Sequence, residues 1–275
     1  MISSYVKTQD FHIEKNTITA PMTDMHFHNA HEMYFLIKGS REYFIEDRFF
    51  DLHDGDAVFV PHDVLHRTAG KGALRILVFF SEEFLTRFFS REVVSRLTPV
   101  LQTPVHRLPP DDCEWLSGAL HHLLHEYEQQ KAGVRPRDET LLAVWLFQLL
   151  WHLGECRNTF SPVRNTDSRI SDIVKYINEN FSTVASIEEI ADRFYFSKYY
   201  LCQLFRKNVG ITLFTYLNTV KIQYACTLIQ EGRENMTEIS LRCGFNTPSY
   251  FSKVFRSIMG VSPSEYRHRT ESAEA

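Results

Sequence analysis

Short runs of apolar and aromatic residues, each only long enough for a strand, punctuate the first hundred or so positions of the chain. EMYFLIKG, REYFIEDRFFDL, DAVFVP and LRILVFF are separated by turn material such as KGS, DG and GKG. This spacing predicts short strands over residues 1 to about 106, forming a small barrel or sandwich. The period then changes. Leu116, Leu120, Leu123, Leu124 and Tyr127 recur at threes and fours, which predicts a helix. A break at KAGVRPRD precedes a second helical run, LLAVWLFQLLWHL, over 141–153. That run is apolar nearly all round, so it is buried, either in its own domain or against another subunit. NTFSPVRNTD, at 158–167, has the Ser, Pro and Asn content of a linker. Beyond it the helical period resumes, with Ile170, Ile173, Val174 and Ile177 on one stripe. Ser186 to Glu189 spells the S-x-x-E of a capping box, in which each side chain satisfies the other residue's free amide.

The C-terminal third contains a repeat. YLCQLFRKNVGITLFTYL (200–217) lies over YFSKVFRSIMGVSPSEYR (250–267) at a fixed offset of 50. Tyr200 and Tyr250, Phe205 and Phe255, Arg206 and Arg256, Gly210 and Gly260, Tyr216 and Tyr266 coincide. Each copy follows a short helix, SIEEIADRF or MTEISLRCGF, so each unit reads as helix, tight turn, helix, glycine stop. Gly244 supplies the second turn, and Tyr195 stands near the equivalent place in the first, where it is expected to reshape the turn. Leu201, Leu204 and Phe205 are expected to face inward, as are Tyr250, Phe251, Val254 and Phe255. Tyr199, Cys202, Gln203, Arg206 and Lys207, and then Ser249, Ser252, Lys253 and Arg256, form the outward faces. Amide, hydroxyl and cation groups on an exposed helix suit base edges and phosphates, so double-stranded DNA is the expected partner. The 19 residues from Thr212 to Gln230 read as one connecting helix, ~28 Å long at 1.5 Å per residue. That separation approaches one turn of DNA, ~34 Å, and allows two successive major grooves to be entered.

These segments carry a resemblance. SIEEIADRFYFSKYYLCQLFRKNVGI, YLNTVKIQYACTLI and the signature GF-x4-YF-x3-F-x4-G-x-SP-x2-YR together resemble the AraC/XylS transcription regulators over about the last hundred residues. The resemblance implies recognition helices beginning near Ser197 and Thr247, with Tyr199, Cys202, Gln203, Ser249, Ser252 and Lys253 facing bases. Lys221 stands where the family usually has arginine, and Cys202 is a poor hydrogen-bonder for a base-facing position.

Bulk properties add less. The 275 residues allow two domains, and 44% hydrophobic with 23% charged residues is a globular composition. Net charge is −4, divided as 13 Lys and Arg against 12 Asp and Glu over 165–275, and 17 against 22 before that. The mild positive bias of the C-terminal part points weakly to a polyanion. MISSYVKTQDFHIEK has no apolar core and is not expected to act as a secretory signal. The run at 141–153 is too short to span a bilayer, so no membrane partner is expected. Five dispersed cysteines with no CxxC pair fit a reducing cytoplasm.

The candidate chemistry lies in MHFHNAHE, at 25–32. His26, His28 and Glu32 share a parity, so on a strand they face one side. With Gly39 they match the first cupin motif, HxH-x3-E-x6-G, and Gly55, Pro61 and His66 match the second, G-x5-P-x4-H. The N-terminal region thus resembles a cupin sensor domain, with Asp63 where cupins usually carry a second glycine. The resemblance implies that His26, His28, Glu32 and His66 form a metal set for Zn, Ni, Mn or Fe. The same four, with Tyr34 and Tyr43, are the candidate effector-binding residues, and a sugar or glycoside is the family-level expectation. His31 and His62, off the motif, read as surface histidines, and Phe44 as pocket or plain core. Three readings stay open: a metal-holding sensor, a degenerate site whose side chains bind a polar molecule or one another, and a cupin metalloenzyme of dioxygenase or isomerase type. The expected fold is α+β in two domains. Residues 1–157 form a cupin-like β-barrel with a helical dimerisation segment, and 168–275 an all-α double helix-turn-helix. The expected function is a non-enzymatic, homodimeric regulator controlled by a small-molecule effector, engaging RNA polymerase in the case of an activator.

Overall fold

The computed structural model describes residues 5–6, 10–18, 25–70, 72–156 and 168–274. The linker expected at 158–167 lies outside the described residues. The N-terminal strands are β1 (Tyr5–Val6), β2 (Phe11–Ile18), β3 (Phe27–His28), β4 (His31–Gly39), β5 (Arg41–Ile45), β6 (Arg48–Leu52), β7 (Ala57–Val60), β8 (His66–Ala69), β9 (Ala73–Phe80) and β10 (Val105–His106). They form a five-stranded sheet, β10-β7-β4-β9-β2, facing a three-stranded sheet, β6-β5-β8, with β1 and β3 as a small third pair. REYFIEDRFFDL does not run straight: it folds into the β5–β6 hairpin at Glu46 and Asp47, with Glu46 at φ +56°.

Side-chain alternation decides which surface each sheet buries. Tyr34, Leu36, Tyr43, Ile45, Val58 and Val60 fill the space between the sheets. Met33, Phe35, Phe59, Ile76 and Val78 point the other way, into a layer of helices. Because β4 is covered on both faces, its sequence reads as an unbroken apolar run rather than an alternating one.

Those helices are α1 (Glu82–Phe88), α2 (Arg91–Leu101), α3 (Pro110–Lys131) and α4 (Glu139–Glu155). The first two correct the expectation of strands up to residue 106. Ser81 and Ser90 cap them, accepting from the amides of Phe84 and Val93. The first, at seven residues, is too short to show a period, whereas in the second Val94, Leu97, Val100 and Leu101 recur at threes and fours, a helical period that the strand expectation overlooked. In α4, Leu142, Ala143, Leu146, Leu149, Leu150 and Leu153 are buried in this layer, while Val144 and Trp151 are exposed. The near-uniform apolarity of α4 therefore divides into a core face and an outer one.

The C-terminal region is all helical: α5 (Ser168–Asn180), α6 (Ile187–Arg193), α7 (Lys198–Val209), α8 (Leu213–Glu231), α9 (Met236–Arg242), α10 (Pro248–Met259) and α11 (Pro263–Glu274). Its core continues into the barrel, because Phe44, Phe49, Met25, Phe27 and Leu65 join the same cluster as Phe205, Leu213 and Tyr216. Phe44 thus faces out of the barrel, opposite to Tyr43, and lines no pocket inside it. Two polar contacts cross this seam: Arg67 Nη2 donates to Asn208 O at 3.0 Å, and Tyr216 Oη to Glu46 O at 3.3 Å.

Candidate metal centre and nucleic-acid interface

The four motif residues converge. His26, His28, Glu32 and His66 are all buried, and one ligand atom from each lies within 4.8 Å of the others. They do not come from one continuous strand. β3 ends at His28, the chain bends at Asn29 and Ala30, and β4 restarts at His31. His26 is held to His66 by a pair of backbone hydrogen bonds at 3.0 Å, which brings its ring within 4.2 Å of the His66 ring. Asp63 takes φ +58°, a backbone geometry that glycine adopts freely, and its amide donates to His28 O at 2.7 Å.

Tautomers follow from the partners. His28 Nδ1 lies 2.6 Å from Ala30 O and His66 Nδ1 2.8 Å from Val64 O, and a carbonyl only accepts. Both Nδ1 atoms therefore carry hydrogen, and both Nε2 atoms turn towards Glu32 Oε2, at 3.2 and 3.6 Å. Burial pushes the Glu32 carboxyl up, but the His28 and His66 imidazoles beside it outweigh that and hold Glu32 well below the usual carboxylate range. Tyr43 donates to Glu32 Oε1 at 2.8 Å, and burial together with that carboxylate pushes its phenol well up. His66 Nε2 has no hydrogen-bond partner among the described residues. Carbonyl-anchored Nδ1 atoms with Nε2 atoms aimed at a common carboxylate match the way metal-binding histidines are held. The residues fit a divalent metal.

Beside this group lie polar atoms that sequence reasoning missed. Arg41 is 2% exposed; its guanidinium donates to Gly70 O and Thr68 Oγ1, each at 2.9 Å, and its Nε is unpartnered among the described residues. Tyr34 Oη is likewise unpartnered, its ring edge-on to Tyr43 at 5.2 Å and under the Arg75 guanidinium at 5.3 Å. Arg41 shares the parity of Tyr43 on β5, and that alternation is the signal that would have placed it inside. His31 is buried rather than superficial: its ring stacks on Phe80, and its Nε2 lies 2.9 Å from Glu82. His62 is exposed, as expected.

In the C-terminal region the two repeats build the same local structure. Ser197 and Thr247 cap α7 and α10 through the amides of Tyr200 and Tyr250, each at 3.2 Å. Gly210 and Gly260 end both helices in the left-handed conformation. Tyr195 does not reshape its turn. At φ +58° it makes the turn of Gly244 at φ +73°. Tyr195 and Phe196 donate to Asp192 and Ala191, as Gly244 and Phe245 donate to Leu241 and Ser240. The S-x-x-E box is half formed: Ser186 caps Glu189, but the Glu189 carboxylate takes the Ala185 amide. The reciprocal box lies instead at Asn235 and Glu238.

Tyr199, Gln203, Arg206, Lys207, Ser249, Ser252, Lys253 and Arg256 are exposed on α7 and α10, and Cys202 is half-buried. Gln203 donates to Tyr199 Oη at 2.6 Å, so these two present one joined polar surface. Tyr250 is a correction: at 41% exposure it does not point inward, and Leu204 is only half-buried. The connecting helix α8 spans 19 residues, capped by Thr212 and buried on most sides between the repeats. From it Lys221 donates to Gly244 O at 2.7 Å beneath the Phe245 ring, fastening the second turn.

A duplicated helix-turn-helix behind a cupin-type sheet defines a two-domain DNA-binding transcription regulator. Family comparison agrees: a helix-turn-helix domain model matches residues 190–269 and a cupin domain model residues 10–80. The chain thus carries an AraC-type helix-turn-helix domain together with a cupin domain. It is 24% identical over 247 residues to the HTH-type transcriptional activator RhaR of Escherichia coli, covering 88% of this chain and 86% of that one. Among solved structures it is similar to the C-terminal domain of AraT, a response regulator from Geobacillus stearothermophilus, with 28% identity, 38% of this chain, 88% of that chain and a TM-score of 0.37. It is also similar to ToxT from Vibrio cholerae, with 14% identity, 94% and 97% coverage and a TM-score of 0.37. Among the described residues no helix is long and apolar enough to cross a membrane.

Proposed function

We propose that this chain is a cytoplasmic transcription regulator, and not an enzyme, whose barrel holds a divalent metal and a small polar effector. His26, His28, Glu32 and His66 hold the metal. When bound, the metal would supply a local positive charge, which the imidazoles of His26, His28 and His66 and the Glu32 carboxylate are placed to neutralise and ligate. The observation that carries this reading is the shared orientation of His28 and His66, each anchored at Nδ1 with Nε2 turned inward. The effector is rich in hydrogen-bond acceptors, as a sugar or glycoside is, because Arg41 Nε and Tyr34 Oη are buried donors without partners among the described residues. Tyr43 helps to line the same space. Metal analysis of purified protein, with calorimetric titration, is expected to give one divalent ion per chain at this site. His28→Ala should abolish binding there, while His62→Ala should leave it intact. Sugars that bind should raise the melting temperature of the wild-type chain. Equal metal affinity in wild type and His28→Ala would remove the metal reading.

The outer faces of α7 and α10 read DNA, with Tyr199, Cys202, Gln203, Ser249, Ser252 and Lys253 towards bases and Arg206, Lys207 and Arg256 towards phosphates. The regulator works as a homodimer, and engages RNA polymerase where it activates. The dimer contact is the outer stripe of α4, where Val144 is 46% and Trp151 40% exposed, with Trp115 of α3 beside it at 39%. Apolar side chains of this size, exposed together, mark an association surface. Trp151→Glu is expected to yield folded monomer in sedimentation, whereas Leu149→Glu, at a fully buried position, should unfold the domain. A Trp151→Glu protein that sediments as wild type would exclude this face.

A further inference from the structure

The antiparallel packing of α3 and α4 brings the first turn of one against the last turn of the other. There Asp112, His152 and Cys156 each offer one ligand atom, all within 4.8 Å of one another. We propose that these three residues form a second metal site, of zinc type, distinct from the barrel centre and placed at the exit of the N-terminal domain.

The chemistry and the spacing agree. His152 lies in the last turn of α4, and Cys156, four positions on, is the residue that caps it. The Cys156 amide donates to His152 O at 3.0 Å, so the backbone of both ligands is fixed. Asp112 reaches them from α3. His152 Nε2 stands 3.1 Å from Asp112 Oδ1, yet this nitrogen is shielded from solvent and makes no well-directed hydrogen bond among the described residues. A cation between the two atoms would satisfy both. Trp115 stacks on the imidazole at 4.0 Å between centroids and holds its plane. Zinc–ligand bonds of about 2.0–2.3 Å in a tetrahedron separate ligand atoms by about 3.3–3.6 Å, well within the spread seen here. Thiolate, imidazole and carboxylate together favour zinc over magnesium or calcium. Half-exposed side chains leave an entry path and a position for water.

As a thiol, Cys156 carries a proton that a bound metal would displace, and the thiolate left behind is the ligand.

Cobalt(II) distinguishes this site from the barrel, because only a cysteine ligand gives a thiolate-to-cobalt charge-transfer band in the near ultraviolet. Titration of the full-length chain with cobalt(II), in buffer free of other thiols, is expected to develop that band to saturation, at one equivalent in the His28→Ala chain whose barrel site is removed, and to lose it on addition of zinc. Cys156→Ser should abolish the band, Asp112→Asn should move the titration to higher cobalt, and His28→Ala should leave the band unchanged. Circular dichroism identical to wild type would show that the variants fold. No band at saturating cobalt, or a band that persists in Cys156→Ser, would overturn the site.

Discussion

Replacing Gly244 with alanine is expected to destabilise the second helix-turn-helix by about 2–5 kcal/mol. Two effects add. An alanine at φ +73° sits in the left-handed region, at about 1–2 kcal/mol. A Cβ there would also lie 2.2 Å from the backbone oxygen of Ser182, and that loop has no flexible side-chain end to swing away. Forcing atoms into a filled space adds about 1–3 kcal/mol. Lys221 is hydrogen-bonded to the carbonyl of the same glycine, so a shift of the turn also strips a buried ammonium of its acceptor. Urea unfolding of the full chain, followed by circular dichroism, measures the effect. Tyr195→Gly supplies the contrast. Tyr195 is 95% exposed at the equivalent turn, so glycine there relieves backbone strain and loosens only the unfolded chain. Its stability should stay within about 1 kcal/mol of wild type. If Gly244→Ala unfolds at the wild-type urea concentration, the close approach to Ser182 is not a constraint.

Lys253→Ala and Arg256→Ala should weaken DNA binding in different ways. Lys253 lies in the first half of α10 and Arg256 one turn later, both exposed. On a site selected from random sequence, Lys253→Ala should lose about 1–3 kcal/mol more than on unselected DNA, because a lost base contact is a loss of discrimination. Arg256→Ala should weaken both DNAs alike and reduce the salt dependence by about one phosphate. Equal losses from the two variants on both DNAs would remove the division of labour between base reading and backbone grip.

Much of this was legible in the residues. The family resemblance put the starts of the two outward-facing helices near Ser197 and Thr247, and those residues are the N-caps of α7 and α10. The two cupin motifs named four side chains that come together from three sheets. What stayed hidden was of two kinds. α1 completes too few turns to display a period, so its serine cap is the better signal, whereas α2 carries a legible one in Val94, Leu97, Val100 and Leu101. Features that depend on a partner surface also left no local trace. Arg41 inside the barrel, Phe44 outside it, Tyr250 in solvent and the Arg67 contact are each set by what packs opposite. Alternation along β5 would have recovered the first two; nothing local would have recovered the last.

Along β8, adjacent side chains leave the strand in opposite directions. His66 enters the barrel to face Glu32, and Arg67 departs for the carbonyl of Asn208 in the last turn of α7. One strand therefore serves at once the proposed metal centre and the underside of α7. Thermodynamic reciprocity then applies. If metal occupancy changes the affinity for an operator by some factor, operator binding changes the affinity for metal by that same factor. A cell poor in the metal would find it retained longest on the copies already bound to DNA, should the factor favour binding. The regulator would then keep a memory of occupancy at its own promoters after the free pool had emptied.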